Sequence, residues 1–372
     1  MKKIKLIVYH PYSLTGGADN SLKRLVTNLN LKKFSITFVS LNKSILVTEL
    51  KNKVKFIDLK SYRAIYSILK LRNIVQDYRK LNKFKKIIVF SNQNFGNIIS
   101  FISLMGIKNI KKIFIDRNHL DELSYSNNVV KIFKNNLIKI LIKIIYKHAD
   151  LVIGISKKLS LDLSKFTNAK VKTIYSPAYD LDIIKKATKK IYLKKKYKYI
   201  INVSRFTPRK DHYTTLKGFA IASKKIKNLK LILIGYGPEY EKIKYFIKKL
   251  KIKKKVMILK STKNPYPYIK KSNLFIFSSN YEGFPNVINE ALMLNTPVIS
   301  SNCKSGPKEM LLNGKGGDFY PKKDYIRLRK LIENYLKNPK KLENKMKIAR
   351  KQLWKFTIGR HVKLYHKLFF NI

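Results

Sequence analysis

Short runs of β-branched and other apolar residues alternate along the chain with longer segments of helical periodicity. The runs are nearly continuous, which is typical of strands buried on both faces of a parallel sheet. Helices are predicted between them, for example at Asp19–Leu29, Tyr62–Leu81 and Asn128–His148. In the first half, the pattern predicts strands at Ile4–Tyr9, Phe34–Ser40, Lys86–Ser91, Lys112–Asp116, Leu151–Ile155 and Val171–Ile174.

The alternation stops at Ser176–Tyr197, a lysine-rich segment that begins with Ser176-Pro177, and then starts again. The second half predicts strands at Tyr199–Val203, Leu229–Ile234, Val256–Leu259, Leu274–Phe277 and Val298–Ser300. This organisation predicts an α/β protein with two facing Rossmann-like domains and a central cleft that holds the active site. The expected divisions are an N-terminal domain 1–178, a linker 179–197, a C-terminal domain 198–352 and a C-terminal helix 353–372. That helix could pack back on the N-terminal domain, with Trp354 as its anchor.

Charge is the unusual feature of the composition. The 372 residues include 81 Lys+Arg and 21 Asp+Glu, a formal net charge of +60. An apolar content of 45% excludes a disordered polycation. The excess is mostly lysine and accompanies abundant Ile, Asn, Tyr and Phe, which share A/T-rich codons. Compositional drift on solvated faces therefore competes with nucleic acid, an anionic membrane or an acidic substrate as its cause.

The low cysteine content and the short apolar runs indicate the cellular compartment. A single cysteine, Cys303, excludes an intramolecular disulfide framework and fits a reducing compartment. The first apolar run is too short for a signal peptide, and no run approaches the ~18 apolar residues of a membrane-spanning helix. We expect a cytoplasmic protein, with the option of peripheral attachment to the membrane.

The most informative segment is S-S-N-Y-E-G-F-P-N-V-I-N-E-A, residues 278–291, which directly follows a predicted strand. Gly283 permits a tight turn, and Pro285 suits a helix start. The free amide groups at such a start favour an anion. Glu282 and Glu290 could accept hydrogen bonds from vicinal hydroxyl groups, so the segment suits a sugar or ribose beside a phosphate. Capping and surface roles for the two glutamates are the alternative.

Cations follow another predicted strand in N-V-S-R-F-T-P-R-K-D, residues 202–211. Arg205 emerges at the carboxyl end of that strand, and Lys210 lies one loop further, before a helix that Asp211 could cap. Arg205 and Lys210 could grip a diphosphate, the first as a fork and the second as a point charge. A solvated lysine is the alternative for Lys210.

Glycine turns follow two further strands. Gly235 and Gly237 in I-L-I-G-Y-G-P-E-Y lack the third glycine of a dinucleotide fingerprint, which favours a nucleotide-lining turn over NAD binding. Gly16 and Gly17 precede a helix and would let backbone amides approach an anion, or would form a plain turn. Six histidines are too few and scattered for a metal site, and Asp180-x-Asp182 follows no strand.

Together these segments resemble the group 1 family of retaining nucleotide-sugar glycosyltransferases, whose fold is called GT-B. The resemblance covers nearly the whole chain and is most specific in the second half. It rests on Glu282 and Glu290 with seven residues between them, S-R-F-x-x-R-K at 204–210, I-G-Y-G-P at 234–238, S-G-P-K-E at 305–309, and Gly16-Gly17.

The resemblance implies roles for the residues that match the family motifs. Arg205 and Lys210 would hold the donor diphosphate without a metal, and Glu282 would contact sugar hydroxyls near the reacting carbon. His119, in D-R-N-H-L after a strand, would contact the sugar from the opposing domain. The implied donor-binding set is Gly16, Gly17, Gly235, Gly237, Lys260, Ser261, Gly283, Phe284, Pro285, Asn286, Val287 and Glu290. In this chain Ser204 and Asp211 replace two family glycines.

The implied activity is retaining transfer of a sugar from a nucleotide diphosphate sugar to a glycan or lipid-linked acceptor in cell-surface polysaccharide synthesis. S-G-P-K-E is similar to a subgroup that often uses UDP-hexoses or UDP-N-acetylhexosamines. No cofactor or metal is expected. A GT-B epimerase or phosphorylase stays open, as does a non-enzymatic nucleic-acid-binding protein, although no nucleic-acid motif is present. The basic apolar helix at 128–148 could contact an anionic membrane, or could be a domain helix with a solvated lysine face.

Overall fold

The computed structural model describes residues 2–11, 17–41, 54–117, 119–124, 128–177, 179, 182–260, 262 and 264–372. The chain divides into two compact units, Met1–Pro177 with Ile358–Ile372 and Ala178–Thr357. The segment predicted as a linker, 179–197, lies in the second unit. The segment 353–372 is divided between the units, since a 3₁₀ turn at Leu353–Phe356 stays with the second.

The described part of the first unit contains one parallel sheet, whose strands run in the order β3-β2-β1-β4-β5-β6-β7. The strands are β1 (Ile4–Tyr9), β2 (Phe34–Ser40), β3 (Lys55–Asp58), β4 (Lys86–Asn92), β5 (Lys111–Asp116), β6 (Leu151–Gly154) and β7 (Val171–Thr173). Its first helices are α1 (Gly17–Asn28), α2 (Ile68–Lys80), α3 (Asn94–Ser103), α4 (Val129–Ile145) and α5 (Lys157–Thr167).

The second unit repeats this architecture with a six-stranded parallel sheet in the order β10-β9-β8-β11-β12-β13. Its strands are β8 (Lys198–Val203), β9 (Leu229–Gly235), β10 (Val256–Lys260), β11 (Leu274–Phe277), β12 (Val298–Ser301) and β13 (Asp318–Tyr320). Its helices are α6 (Asp182–Lys186), α7 (His212–Lys225), α8 (Tyr240–Lys249), α9 (Tyr266–Lys270), α10 (Asn286–Met293), α11 (Gly306–Met310), α12 (Tyr325–Lys337) and α13 (Pro339–Arg350).

The last helix, α14 (Ile358–Asn371), packs on the first unit through aromatic contacts. The ring of Phe369 lies 6.0 Å from that of Phe34 and 5.4 Å from that of Phe90. The expectation that Trp354 anchors this helix is wrong, since Trp354 lies in the second unit and is 51% exposed. Buried phenylalanines stabilise the contact instead, because they remove more apolar surface from water.

The predicted α/β class is confirmed by the two sheets. All eleven strands predicted from apolar runs are present with their ends shifted by at most one residue. The prediction missed β3 and β13, which lie at sheet edges. An edge strand has one paired side only and tolerates polar residues, so K-F-I-D and D-F-Y lack the continuous apolar run that marks an inner strand.

Candidate functional site

The two motifs predicted to bind a donor meet at the carboxyl edge of the second sheet. Strands β8 and β11 are direct neighbours, with Ile200 paired to Leu274 and Ile201 to Phe275. Because both strands run the same way, the loops that follow them leave the sheet side by side. Residues 72 apart in sequence are thereby brought together.

Lys210 and Glu282 form an ion pair in which the lysine Nζ donates a hydrogen bond to Glu282 Oε1. The Nε atom of Arg209 lies 3.9 Å from the same oxygen. Both members of the pair are largely buried, with side-chain exposures of 13% and 9%. Burial alone would raise the pKa of Glu282, but the charges of Lys210 and Arg209 overcome it and hold that pKa below its usual range. Glu282 is therefore a carboxylate at neutral pH.

Hydrogen bonds join the two loops behind this pair. Ser278 Oγ donates to the carbonyl oxygen of Lys210 at 2.6 Å, and the amide of Asn280 donates to that of Arg209 at 2.8 Å. Asn202, on β8, donates from Nδ2 to the carbonyl of Ile276 on β11 at 3.0 Å. These bonds tie the backbone of Arg209 and Lys210 to the loop that leads to Glu282.

Asp211 caps α7, as its position in the sequence predicts. Its Oδ1 accepts from the amide of Thr214 at 3.3 Å, and its Oδ2 accepts from Thr214 Oγ1 at 2.7 Å. The backbone of Asp211 is left-handed, with φ 44°. Glycine adopts that conformation most easily, whereas aspartate tolerates it through local hydrogen bonds. This explains how Asp211 can occupy a glycine position of the family motif.

Arg205 is placed apart from the Lys210–Glu282 pair. Its side chain is exposed, and its guanidinium carbon lies 5.8 Å from the centroid of the Tyr236 ring. Within the described residues it forms no ion pair with Glu282. Its role toward a diphosphate stays a prediction.

Gly235 and Gly237 allow the close approach of two backbones. A Cβ atom at either position would clash with a carbonyl oxygen, that of Ser204 in one case and that of Phe206 in the other. Gly237 also has a φ of 151°. The amide of Phe206 donates to the carbonyl of Tyr236 at 2.7 Å. The turn at Gly235 and Gly237 was predicted to line a nucleotide. In the structure its backbone packs closely against the loop that carries Arg205.

Helix α10 begins directly after the buried loop Gly283–Pro285. The segment S-G-P-K-E packs against this loop, since the amide of Gly306 donates to the carbonyl of Gly283 at 3.0 Å. A Cβ at Gly306 would come within 2.8 Å of the Phe284 Cα atom. Val287 lies in the first turn of α10, and Glu290, in the second, is partly buried. The predicted helix start is confirmed.

Buried polar atoms without partners cluster around this loop. Among the residues described, Asn286 Oδ1, both amide atoms of Asn289 and Ser305 Oγ form no hydrogen bond. Ser305 also has a φ of 77°, which is unusual for a residue other than glycine. Each unsatisfied buried group costs about 1–3 kcal/mol. Buried groups of this kind are usually satisfied by ordered water or by a bound molecule.

Of the two predicted donor-binding residues at the end of β10, the structure describes Lys260 but not Ser261. Lys260, at the end of β10, is exposed and its Nζ lies 4.6 Å from the centroid of the Tyr240 ring. Ser261, which the resemblance includes in the donor-binding set, lies outside the described residues.

In the first unit, His119 is buried and its Nε2 lies 2.6 Å from Asp162 Oδ2. Gly17 is the first residue of α1 and is exposed, whereas Gly16 lies outside the described residues. The carboxylate of Asp162 orients the His119 ring. The contact of His119 with a sugar stays a prediction.

A buried polar network at the carboxyl ends of β1, β4 and β5 was not predicted. Asn92 Nδ2 donates to His10 Nδ1 at 2.9 Å, and His10 Nε2 lies 2.6 Å from Asp19 Oδ1. Arg117 donates from Nε to Asn92 Oδ1 at 2.6 Å and from Nη1 to Ser21 Oγ at 3.0 Å. The rule that located Arg205, a polar residue directly after a strand, would have found His10 and Arg117.

The part of the chain that the structure describes contains neither a metal-binding cluster nor a membrane-spanning helix. No group of three His, Cys, Asp or Glu side chains is arranged to hold a metal ion. No helix there has the length and apolar character needed to cross a bilayer.

Cys303 is buried, and burial raises its pKa to about 12, so it stays a thiol.

Comparisons with known proteins agree with this fold. Residues 184–352 match the family model of glycosyl transferases group 1. An uncharacterized glycosyltransferase from Methanocaldococcus jannaschii is 34% identical over 266 residues, 68% of this chain and 62% of that protein. This chain thus spans less than two thirds of the length of that relative.

Two further proteins match over all or nearly all of the chain. The Campylobacter jejuni N-acetylgalactosamine-N,N'-diacetylbacillosaminyl-diphospho-undecaprenol 4-alpha-N-acetylgalactosaminyltransferase is 29% identical over 381 residues, 96% of this chain and 100% of that protein. The crystal structure of HepE from Anabaena in complex with UDP and glucose covers 100% of both chains with a TM-score of 0.79 at 15% identity.

The fold defined by these matches is the predicted GT-B fold, two Rossmann-like parallel sheets in one chain. The chain belongs to the group 1 glycosyltransferases.

Proposed function

We propose that this protein is a retaining glycosyltransferase that moves a hexose or N-acetylhexosamine from a UDP-sugar to a glycan or lipid-linked acceptor in cell-surface polysaccharide synthesis. The observation that carries the proposal is the buried Lys210–Glu282 pair beside the start of α10. A cation, a carboxylate and free helix amides at one sheet edge suit a sugar joined to a diphosphate.

The charges of the pair suit the reaction. Transfer builds negative charge on the leaving diphosphate, and a cation held in advance stabilises that charge without reorganisation. Lys210 is held by Glu282, and its backbone is fixed by Ser278. A diphosphate would therefore compete with, or share, an existing ion pair. Glu282, a carboxylate at neutral pH, is left to accept hydrogen bonds from sugar hydroxyls.

The remaining donor contacts are assigned from where the residues lie, after β8 and at the start of α10. Arg205 would add a second cation, while Glu290, in the second turn of α10, would accept from the ribose hydroxyls. The amides at Asn286 and Val287 would meet the diphosphate at the helix start. In a retaining transfer the acceptor attacks the face that the diphosphate leaves, and a phosphate oxygen takes the acceptor proton. No metal is assigned a part in these steps.

The choice of donor and acceptor rests on relatives. The Campylobacter jejuni relative is named for the transfer of N-acetylgalactosamine to a diphospho-undecaprenol acceptor. HepE was crystallised with UDP and glucose. We extend both chemistries to this chain, with UDP as the donor nucleotide and a lipid diphosphate as the acceptor anchor.

Helix α4 supports attachment to the anionic face of a cytoplasmic membrane, where a lipid-linked acceptor resides. Its buried side holds Asn135, Ile142 and Ile145. The opposite side exposes an apolar stripe: Val129, Phe133, Leu137, Ile140 and Ile144, each between 49% and 80% exposed. The helix contains four lysines and no acidic residue. An exposed apolar stripe flanked by lysines fits an anionic leaflet.

The alternatives are separated by product analysis. The protein is incubated with labelled UDP-glucose or UDP-N-acetylgalactosamine, with and without a lipid diphosphate disaccharide acceptor, in buffer containing excess EDTA. The proposal predicts UDP release that needs the acceptor, a product with the donor's anomeric configuration, and a rate unchanged by EDTA.

Other results identify other activities. Epimerised free sugar without acceptor would indicate an epimerase, and sugar 1-phosphate formed with inorganic phosphate would indicate a phosphorylase. An inverted product would overturn the retaining mechanism. Tight RNA or DNA binding at physiological salt, with no effect of UDP-sugars, would favour the nucleic-acid alternative.

A further inference from the structure

Lys5 is the second residue of β1, an inner strand of the first sheet, and is only 2% exposed. Compositional drift toward lysine explains lysines on solvated faces, where a charged side chain has little energetic cost. It does not explain a buried ammonium group, which must be stabilised by specific partners. Lys5 therefore differs in kind from the lysines that give the chain its charge.

The partners of Lys5 are polar but carry no full negative charge. Its Nζ donates to Thr37 Oγ1 at 2.7 Å and to Ser35 Oγ at 3.2 Å. It lies 3.7 Å from the centroid of the Tyr78 ring, on α2. The hydroxyls of Tyr78 and Thr37 are themselves 2.9 Å apart. Among the residues described, no carboxylate pairs with Lys5.

A cavity of about 940 Å³ that is wide open to solvent lies at this position, at the amino ends of β1, β2 and β3, and Lys55 and Lys83 in its lining are exposed. Its walls are apolar and aromatic where Leu31, Phe34, Leu81 and Phe84 contribute. Its cations are Lys2, Lys3, Lys5, Lys55 and Lys83, and no acidic side chain lines it. The cavity is therefore strongly positive with an apolar wall.

The charges around Lys5 oppose its protonation. Burial lowers the pKa of Lys5, Tyr78 acts in the opposite direction, and the charges of Lys55 and Lys83 lower the pKa further. An anion in the cavity would reverse these effects, because it would neutralise three ammonium groups that otherwise repel one another. A bound anion would therefore stabilise the protonated form of Lys5.

We propose that this cavity binds a phosphate ester, with the phosphate at Lys5, Lys55 and Lys83 and an apolar or planar body against Phe84 and Leu81. Several convergent lysines favour a multiply charged phosphate over a carboxylate. The site lies at the amino edge of the first sheet, opposite the carboxyl edge that carries His10 and Arg117. It is independent of the proposed donor site in the second unit.

Competitive lysine acetylation tests the proposal in the intact chain. Native protein is labelled with trace acetic anhydride, with and without phenyl phosphate or dihexanoyl phosphatidic acid, and each lysine is quantified by peptide mass spectrometry. At about ten times the dissociation constant, labelling of Lys55 and Lys83 should slow about tenfold, since about a tenth of the sites stay free. Exposed Lys340 and Lys341, on α13, are the matched control and should label at an unchanged rate.

The two probes distinguish the sources of the phosphate. Protection by both indicates a soluble phosphate ester, and protection by the lipid alone indicates a phospholipid headgroup. Lys5→Met should abolish protection of Lys55 and Lys83. Unchanged labelling with both probes, or equal slowing at Lys340 and Lys341, would overturn the proposal even if the variant does not fold.

Discussion

Lys5 and Lys210 are held away from water, in contrast to most lysines of this chain. Lys210 was predictable because it follows a strand within a motif that also contains Arg205. Lys5 was not, because M-K-K-I-K offers three equivalent lysines and only the strand register buries the third. Which lysine is buried depends on how the strands pair in the sheet, and the local sequence does not show this.

The candidate donor residues divide in the same way. The family resemblance implied that Lys210 and Glu282 serve one donor site, and the neighbouring strands β8 and β11 bring the two side chains into contact. The spacing could not predict that Gly235 and Gly237 pack against the loop of Arg205. A glycine after a strand permits close approach, but the sequence does not specify what approaches.

Two buried histidines should make the protein sensitive to acid. Burial and the charge of Lys210 lower the pKa of His212 to about 3, and burial chiefly lowers that of His361 to about 3. In the unfolded chain both titrate near ~6.5. Between these values the unfolded state binds protons that the folded state does not. The stability is therefore complete above pH ~6.5 and is lost as the pH falls toward 3.

Chemical denaturation at several pH values measures this effect. Each histidine contributes a slope of about 1.4 kcal/mol per pH unit within the window. His212→Gln and His361→Gln should each reduce the slope by about that amount. Asp116 acts in the opposite direction, since burial raises its pKa to about 7, so only the difference from the native protein is diagnostic. Equal slopes in variants and native protein would show that the rings are protonated when folded.

At the level of elements, continuous apolar runs predicted the inner strands, whereas composition obscured α3. The sequence N-F-G-N-I-I-S-F-I-S contains glycine, asparagine and three isoleucines, which are poor helix formers. Six of its ten residues are buried and the other four are partly buried, so packing stabilises a helix that local propensity disfavours.

Helix α4 carries the prediction of membrane contact. Phe133→Ser with Ile140→Ser should weaken binding to vesicles rich in phosphatidylglycerol, measured by co-sedimentation, by about a hundredfold or more, since each removes ~1.5–3 kcal/mol of apolar burial. The matched control is Leu161→Ser with Ile348→Ser, which removes two apolar residues of 59% and 47% exposure from other helices.

Binding to the same vesicles should also weaken with added salt, because the flanking lysines are screened. Sedimentation that the α4 variant and the control reduce equally would contradict a specific role for this stripe. So would equal binding to neutral vesicles.

At the level of the whole molecule, the net charge of +60 has at least three components. Surface lysines account for most of it. One part surrounds the apolar stripe of α4, and another converges on Lys5. At the predicted donor site, by contrast, the ion pair depends on Glu282, one of only 21 acidic residues. Net charge alone therefore describes the surface of the protein and not its chemistry.

The central claim is that Lys210 and Glu282 form the donor site. Its most direct test is the rate of acceptor-dependent sugar transfer from UDP-sugar for native protein, Lys210→Gln, Glu282→Gln and the control Lys340→Gln. Melting temperatures of all four establish that each is folded. The two site variants should lose transfer by ~10²–10³ because stabilisation of the leaving diphosphate or positioning of the sugar is lost. Lys340→Gln should keep the native rate. Folded site variants that transfer sugar within a few-fold of the native rate would contradict the assignment.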